Sequence, residues 1–392
     1  MRTLLKLCCG VGALALASCA STDVAPIETG ASPDVTTDEA GLWQQMDKYE
    51  QALRTSALLE RDPALNAYVR GIVCDVAGTD YCEDLRIYVV NRPYFNATMA
   101  PNGLMEVWTG LLLRAENEAQ LAFVLGHEFT HYKNRHSLKN WRKAKNAANA
   151  SLLVSIGAAA AGAGGASELG SLLALSALYG YGRDLEREAD MEGFAYVTAA
   201  GYDGSQAAVL WQNLVAEVQA SQSKRKKRRF ARSSIFSSHP LTKERIATLQ
   251  GLAADLSPGK RNEQDYIGAT APFLAQWLDD DLVRRDFGEN LFLINKLIER
   301  GDMLGTLFYA KAEALRLRRG EGDMVKAEAA YLKATKFSDA PAKAWRALGD
   351  ALRRKGDTSG AITAYQIYLE LNPAAVDRLV VENFIKTHAL EG

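Results

Sequence analysis

The chain has 392 residues, of which 48% are hydrophobic and 24% are charged, and its formal net charge is −1. This length suggests roughly two to three domains, and the composition excludes a wholly disordered or collagen-like protein. The near-neutral charge gives no general attraction to nucleic acid, so no nucleic-acid partner is expected. The five cysteines are too few for a dense disulfide scaffold in a chain of this length.

The first residues have the pattern of a secretory signal. A basic start is followed by an apolar stretch from Leu7 to Leu16, which is too short to span a bilayer. The sequence Leu16-Ala17-Ser18-Cys19 resembles a bacterial lipobox, in which the signal is removed and the cysteine is lipidated. We therefore predict lipidation at Cys19, and an ordinary signal peptide with an incidental cysteine is the alternative.

The residues after Cys19 predict a tether and a location. Residues 20–40 are rich in Ser, Thr, Pro and Asp and have no apolar period, which is typical of a flexible segment. Ala20, rather than Asp, follows the lipoprotein pattern for sorting to the outer membrane. Acyl chains of this kind attach a protein stably, so we expect a periplasmic protein anchored to the outer membrane of a Gram-negative bacterium.

Two further cysteines, Cys74 and Cys82, remain after the signal is removed and Cys19 is lipidated. Because the periplasm is oxidising, we predict that this pair forms a disulfide. Two buried thiols are the alternative.

A metal-binding motif begins at a predicted helix. Asn117 and Gln120 resemble a helix-capping pair, and apolar residues at helical spacing follow them. His127 and His131, in the H-E-x-x-H motif, are one turn apart and can bind the same Zn²⁺. Glu128 can then accept a proton from a water molecule. The alternative is a pair of surface histidines.

A catalytic zinc takes three protein ligands, and the third has two candidates. His136 follows His131 by five residues, which on one continuous helix turns it away from the metal, so we expect a structural or supporting role. Downstream, Glu186 and Asp190 are one helical turn apart, so Glu186 is the predicted third ligand and Asp190 orients a histidine. Glu188 is expected at the surface.

Two predicted strands, Leu85–Val90 and Met105–Thr109, flank a turn signal at Asn102-Gly103. An exposed strand edge there would accept an extended peptide as an added strand.

Two segments have alternative interpretations that involve a membrane. Residues 151–180 contain one charged residue, Glu168, among many Ala and Gly, and they predict a soluble hairpin or flap. Membrane contact is the alternative. Residues 224–229 are all basic and predict a solvated loop, with contact to anionic lipid head groups as the alternative.

Helix-turn-helix repeats are predicted near the C-terminus. Ala327 and Tyr331 precede Ala361 and Tyr365 by 34 residues, which is the tetratricopeptide (TPR) period. Two repeats are fewer than a free-standing array needs, so we expect them to pack on the preceding helices or on the rest of the protein. A protein-binding surface is the functional interpretation, and a purely structural cap is the alternative.

The order of these motifs, from about Asp38 to Leu252, resembles the HtpX and CAAX-prenyl-protease-like family of gluzincin metallopeptidases. Ser238-His239-Pro240 and Arg245-Ile246 resemble its downstream His-Pro element. With the lipobox and the repeats, the chain is similar to the BepA-like periplasmic branch of that family.

The resemblance implies an α+β fold, in which a mostly helical zincin peptidase domain with a small β-sheet precedes α-helical TPR-like repeats. It implies one Zn²⁺ per chain and catalytic roles for several side chains. His239 and Arg245 would stabilise the oxyanion or cap the zinc in a latent state. The implied metal ligands are His127, His131 and Glu186, and Glu128 is the implied general base. Asp190 would support a metal-bound histidine without binding the metal itself. The implied substrate contacts are Asn96, Ala97 and Met105.

The implied function is zinc-dependent cleavage of misfolded or stalled outer-membrane and envelope proteins. The expected partners are extended or unfolded substrates, the membrane through the lipid anchor, and outer-membrane assembly machinery bound by the repeats. A chaperone or assembly adaptor with latent peptidase activity is the alternative. The predicted order is a signal peptide (1–18), a tether (19–40), a peptidase domain (41–252), a helical connector (253–302), repeats (303–376) and a tail (377–392).

Overall fold

A computed structural model describes residues 24–146, 180–221, 239 and 243–388. The predictions for the signal peptide, Cys19, the basic run and nearly all of the Ala/Gly-rich segment concern residues outside these ranges. None of the helices within them combines the length and hydropathy that a membrane span requires.

The described chain is mostly helical and contains one small sheet, which confirms the predicted α+β class. The helices before residue 260 are α1 (Asp38–Thr55), α2 (Pro63–Ala77), α3 (Thr79–Asp84), α4 (Thr109–Arg114), α5 (Glu118–Lys133), α6 (His136–Asn146), α7 (Arg183–Ala199), α8 (Ser205–Ala220) and α9 (Lys243–Ala253). Those after it are α10 (Glu263–Thr270), α11 (Leu274–Val283), α12 (Phe287–Arg300), α13 (Leu304–Arg318), α14 (Asp323–Ala334), α15 (Ala342–Lys355), α16 (Thr358–Leu371) and α17 (Arg378–His388).

The sheet has three strands in the order β1-β3-β2, namely β1 (Arg86–Val90), β2 (Ala97–Met99) and β3 (Leu104–Trp108). The two predicted strands correspond to β1 and β3, and they pair in parallel. The predicted turn at Asn102-Gly103 instead joins β3 to β2, which pairs with it antiparallel and was not predicted. Three residues are too short a run to give a periodic signal in the sequence.

Residues 24–37, which we call the N-terminal strap, pack on the protein, so the prediction of a flexible tether is wrong over residues 24–40. Ile27 is 5% exposed, and its backbone N–H donates to the carbonyl of Lys133, at the end of α5, over 2.7 Å. Its carbonyl accepts from the Tyr81 hydroxyl. The tether was predicted from the polar composition of the segment, which does not show that Val24 and Ile27 are buried against the protein.

Helix α5 forms the centre of the core, and all of its residues from Glu118 to Tyr132 are buried. The Asn117 side chain caps its N-terminus by accepting from the Gln120 N–H, as predicted. Helix α7 packs closely on α5 because glycines face each other. A Cβ atom on Gly193 would lie only 2.8 Å from the backbone nitrogen of His127.

The C-terminal helices continue the same core. Apolar residues of α11, α12 and α13 belong to one buried cluster with α2, α5 and α8. Beyond them, α13 pairs with α14 and α15 with α16, at the positions of the two predicted repeats. Gly349 is required there because the Tyr365 ring lies where its Cβ atom would stand.

A buried ionic network joins helices α4 and α8 to helices α11 and α12 of the helical connector. Arg114 of α4 donates to Glu217 of α8 and to Asp281 of α11, each over 2.8 Å. Arg284 contacts the same Asp281 carboxylate and Glu289 of α12. The helical connector is therefore fixed to the preceding domain by charge as well as by apolar packing.

Candidate metal centre

Three parts of the chain bring the predicted site residues together. Helix α5 contributes His127, Glu128 and His131, and α7 contributes Glu186. His239 approaches from the segment before α9. The side chains of all five are at most 2% exposed.

The potential ligands converge on a small volume. One ligand atom from each of His127, His131, Glu186 and His239 lies within 4.8 Å of the other three. The Nε2 atoms of His127 and His131 are 3.1 Å apart. The structure therefore places the three predicted ligands in one cluster and adds His239 to it.

His127 is held from behind by a charged pair. Its Nδ1 lies 3.0 Å from Oδ1 of Asp190, and Arg245 donates to both oxygens of that carboxylate over 2.6 and 2.7 Å. Arg245 also contacts Glu186 through Nη1 at 2.8 Å. Burial opposes ionisation, but the Arg245 and His127 hydrogen bonds lower the pKa of Asp190. Asp190 thus occupies the predicted position, and Arg245 contacts two carboxylates of α7.

His131 has a different support. Its Nδ1 lies 2.8 Å from Nδ1 of His136, and the Tyr181 ring stacks on it at 3.8 Å with an interplanar angle of 11°. The prediction that His136 turns away from the metal is wrong, because α5 ends at Lys133 and Arg135 adopts φ +53°. This turn returns His136 toward the cluster.

Glu128 and His239 face each other beside the cluster. Nε2 of His239 lies 3.2 Å from Oε1 of Glu128, and its Nδ1 lies 2.8 Å from Oε1 of Glu186. Burial raises the pKa of Glu128. Burial has the opposite effect on an imidazole, but the two carboxylates raise the pKa of His239.

The donor set fits a zinc ion. A carboxylate at Nδ1 of His127 favours the proton on that atom, so the Nε2 lone pair faces the other ligands. Three imidazole nitrogens and one carboxylate in a closed, buried group are zinc ligands by type. When His127 and His131 both carry their protons on Nδ1, their Nε2 lone pairs face each other at 3.1 Å and repel unless a cation lies between them.

Residues 60–253 match the description Peptidase family M48. This region belongs to that family. The family is zinc-dependent, which makes the M48 domain a zinc metallopeptidase, and the buried cluster is a group that could bind the metal.

Relatives that match about half to seven tenths of the chain carry peptidase names. The chain is 28% identical over 295 residues to the putative beta-barrel assembly-enhancing protease of Vibrio cholerae, covering 71% of this chain and 58% of the relative. It is 25% identical over 276 residues to the beta-barrel assembly-enhancing protease of Escherichia coli, covering 68% and 55%. The mitochondrial metalloendopeptidase OMA1 of Schizosaccharomyces pombe is 29% identical over 211 residues, covering 53% and 58%. The chain thus spans little more than half the length of these relatives.

Some site residues in the M48 domain lie elsewhere than expected. Met105, predicted to contact substrate, is fully buried on the central strand β3 and has no surface to offer. Asn96 precedes β2 and Ala97 begins it, and both are buried, which leaves backbone groups rather than side chains for a substrate contact. Glu188 is 37% exposed, in keeping with its expected surface position, and it also accepts a hydrogen bond from Asn134.

Sequence reasoning missed Tyr181 and the role of the turn before α6. The signal for Tyr181 is weak, since a single aromatic residue ahead of a helix is common.

Cys74 and Cys82 form a disulfide in the structure, with Cα atoms 4.9 Å apart, and join α2 to α3 behind α5.

Proposed function

We propose that the chain is a zinc endopeptidase of the Gram-negative envelope that cleaves extended or misassembled envelope proteins. The observation that carries the proposal is the buried cluster of His127, His131 and Glu186 with Glu128 beside it. The relatives named beta-barrel assembly-enhancing protease support the envelope context.

In this proposal His127, His131 and Glu186 hold the zinc. The bound ion supplies Lewis-acid polarisation of the scissile carbonyl and lowers the pKa of a water molecule. Glu128 takes a proton from the attacking water and delivers it to the leaving amine. Its burial raises its pKa, which favours this exchange of a proton in both directions.

We infer that Arg245 acts through the carboxylates it touches. All three of its guanidinium nitrogens face Asp190 or Glu186. It therefore fixes one ligand directly and orients His127 through Asp190. This positioning role replaces the oxyanion contact as our proposal for Arg245.

His239 gives the site a latent state in this proposal. Its Nδ1 lies 3.2 Å from Nε2 of His127, so the ring occupies the position of a fourth ligand. A catalytic zinc needs an open position for water or substrate. Withdrawal of His239 opens that position, and its Nε2 then becomes available to the reacting oxygen.

We propose that the outer edge of β2 receives the substrate as an added strand. The carbonyl of Asn96 and the N–H of Ala100 bond to β3. Because antiparallel pairing alternates along a strand, the backbone groups of Ala97 and Met99 point to the opposite edge. Among the described residues no strand pairs with that edge. Only an extended peptide can make these bonds, which favours unfolded substrates.

The location and partners complete the proposal. Lipidation at Cys19 anchors the protein in the outer membrane facing the periplasm. The helix pairs α13–α14 and α15–α16 act as TPR-like repeats that present substrates or bind assembly machinery. Replacement of Cys19 by Ala should release the protein from membrane fractions, and persistence there would contradict the lipid anchor.

A genetic comparison tests the function. In a strain lacking the gene, wild type should clear envelope proteins that accumulate with Glu128→Gln. Glu263→Gln, which changes a carboxylate on α10, is the control. Full rescue by Glu128→Gln would reject cleavage as the main function and favour the alternative, an assembly adaptor that acts through its repeats.

A further inference from the structure

The two histidines of the zinc motif have unequal supports. Behind His127 stands the carboxylate of Asp190, itself bound by Arg245. Behind His131 stands the imidazole of His136, with the two Nδ1 atoms 2.8 Å apart and both rings buried. Metal-bound histidines usually donate their second N–H to an acceptor, so His131 requires one as well.

The proton positions follow from this requirement. When His131 presents its Nε2 lone pair to a metal, its proton is on Nδ1, and Nδ1 of His136 must accept it. His136 then carries its own proton on Nε2. That atom lies 3.4 Å from Oε2 of Glu188, a carboxylate that favours an N–H opposite it.

We propose that His136 is a positioning residue for the zinc centre, which accepts the Nδ1–H hydrogen bond of His131 in a tautomer selected by Glu188. The proposal rests on the zinc ligand set given above. It assigns both Glu188 and Asp190, two residues apart on α7, to the support of the two histidines.

The surroundings hold both rings in this arrangement. Tyr181 stacks on His131, and its hydroxyl lies 2.9 Å from Oγ of Ser137, the residue after His136. Glu188 accepts from Nδ2 of Asn134 over 2.8 Å, on the near side of the same turn. The turn, the stacked ring and the carboxylate therefore leave His136 little freedom to rotate.

The primary test is zinc affinity, measured on the full chain by competition with a chromophoric chelator. His136→Leu removes the acceptor and should weaken zinc binding by about 10- to 100-fold. His136→Gln offers an amide oxygen in its place and should restore most of the affinity. His388→Leu, at the end of α17, is the matched histidine control and should bind as wild type.

A second pair of variants tests Glu188. Glu188→Gln should lower zinc affinity, whereas Glu192→Gln should not, although Glu192 accepts from the same Asn134 at 3.0 Å. The visible spectrum of the cobalt-substituted protein should shift in His136→Leu and Glu188→Gln only. This pair decides the question if His136→Leu does not fold.

The outcomes separate the two proposals. Wild-type affinity in both His136→Leu and Glu188→Gln would overturn the positioning role. Equal losses of metal-free Tm in His136→Leu and His136→Gln, with unchanged zinc affinity, would also overturn it in favour of packing alone. His131→Ala that still binds zinc normally would instead overturn the ligand set.

Discussion

The molecule contains two buried clusters of charged side chains, and only one of them has the composition of a metal site. In the ionic network, two arginines face three carboxylates, and each arginine contacts two of them. In the metal centre, three imidazoles and two carboxylates surround the position where the ligand atoms converge, and one guanidinium contacts them from outside.

Burial of charge therefore does not by itself mark a functional site. Two arginines balance two ionised carboxylates, and burial raises the pKa of the third, Glu289, to about 8. The ionic network therefore needs no further cation, and it joins α4 and α8 to the helical connector. In the metal centre, the nitrogen and oxygen atoms that lie within 4.8 Å of one another have more lone pairs than protons to share. A bound cation would relieve the repulsion among these lone pairs, which is the reason to assign the group a function.

The largest expected effect is on catalysis. Glu128→Gln removes the proton acceptor and should lower kcat by about 1,000-fold. Zinc content should stay at the wild-type level because Glu128 is not among the ligands. Hydrolysis of an unfolded protein and metal analysis of the same samples check both statements. Activity close to that of wild type would show that another group is the base.

Arg114→Ala should show the opposite pattern in the ionic network. It leaves the Glu217 carboxylate buried without its partner and leaves Asp281 with Arg284 alone, which should lower the free energy of unfolding by about 3–5 kcal/mol. Zinc affinity of the folded protein should not change. Urea denaturation gives the first quantity and chelator competition the second. Lys343→Ala, which breaks an exposed pair with Asp279, is the control and should cost less than about 1 kcal/mol.

A glycine substitution links packing to the metal centre. Gly193→Ala places a methyl group 2.8 Å from the His127 nitrogen, so α7 must move away from α5. We expect a loss of about 1–3 kcal/mol in stability and weaker zinc binding, because Glu186 is on the helix that moves. Gly71→Ala on α2, where the added methyl meets nothing within 4 Å, is the matched control. Equal zinc affinities in the two variants would contradict this link.

The smallest expected effect is a pH dependence of the ionic network. Burial opposes ionisation, but Arg114 and Arg284 lower the pKa of Asp281 to about 2. A pKa below that of the unfolded chain, about 3.9, gives stability that is present above pH 4 and lost as the pH falls toward 2. The loss should be about 2 kcal/mol. Urea titrations of the metal-free protein should show it in wild type but not in Asp281→Asn, with Asp279→Asn behaving as wild type.

The sequence predicted those parts of the site that local spacing determines. The H-E-x-x-H residues are one helical turn apart, and so are Glu186 and Asp190, so their shared faces follow from helix geometry. The cap at Asn117 is equally local, and it was predicted for the same reason.

Features that depend on a change of chain direction were not predictable. The chain leaves α5 through a left-handed conformation at Arg135, and no neighbouring glycine or proline in the sequence indicates this turn. Helical spacing alone therefore predicts that His136 points away from the metal. A supporting role was expected for it, but its contact with His131 was not. Strand β2 and the burial of Met105 likewise depend on which segments pair, and a three-residue strand carries no periodic signal.

The N-terminal strap also determines where a soluble form of the protein can begin. A form starting at residue 41, the predicted domain boundary, lacks Ile27 and also Glu39, the carboxylate that binds Arg135 at the turn before His136. We expect it to bind zinc less tightly than a form starting at residue 24, although both contain every zinc ligand. Chelator competition on the two forms compares them directly, and recombinant work on the zinc centre should use the longer one.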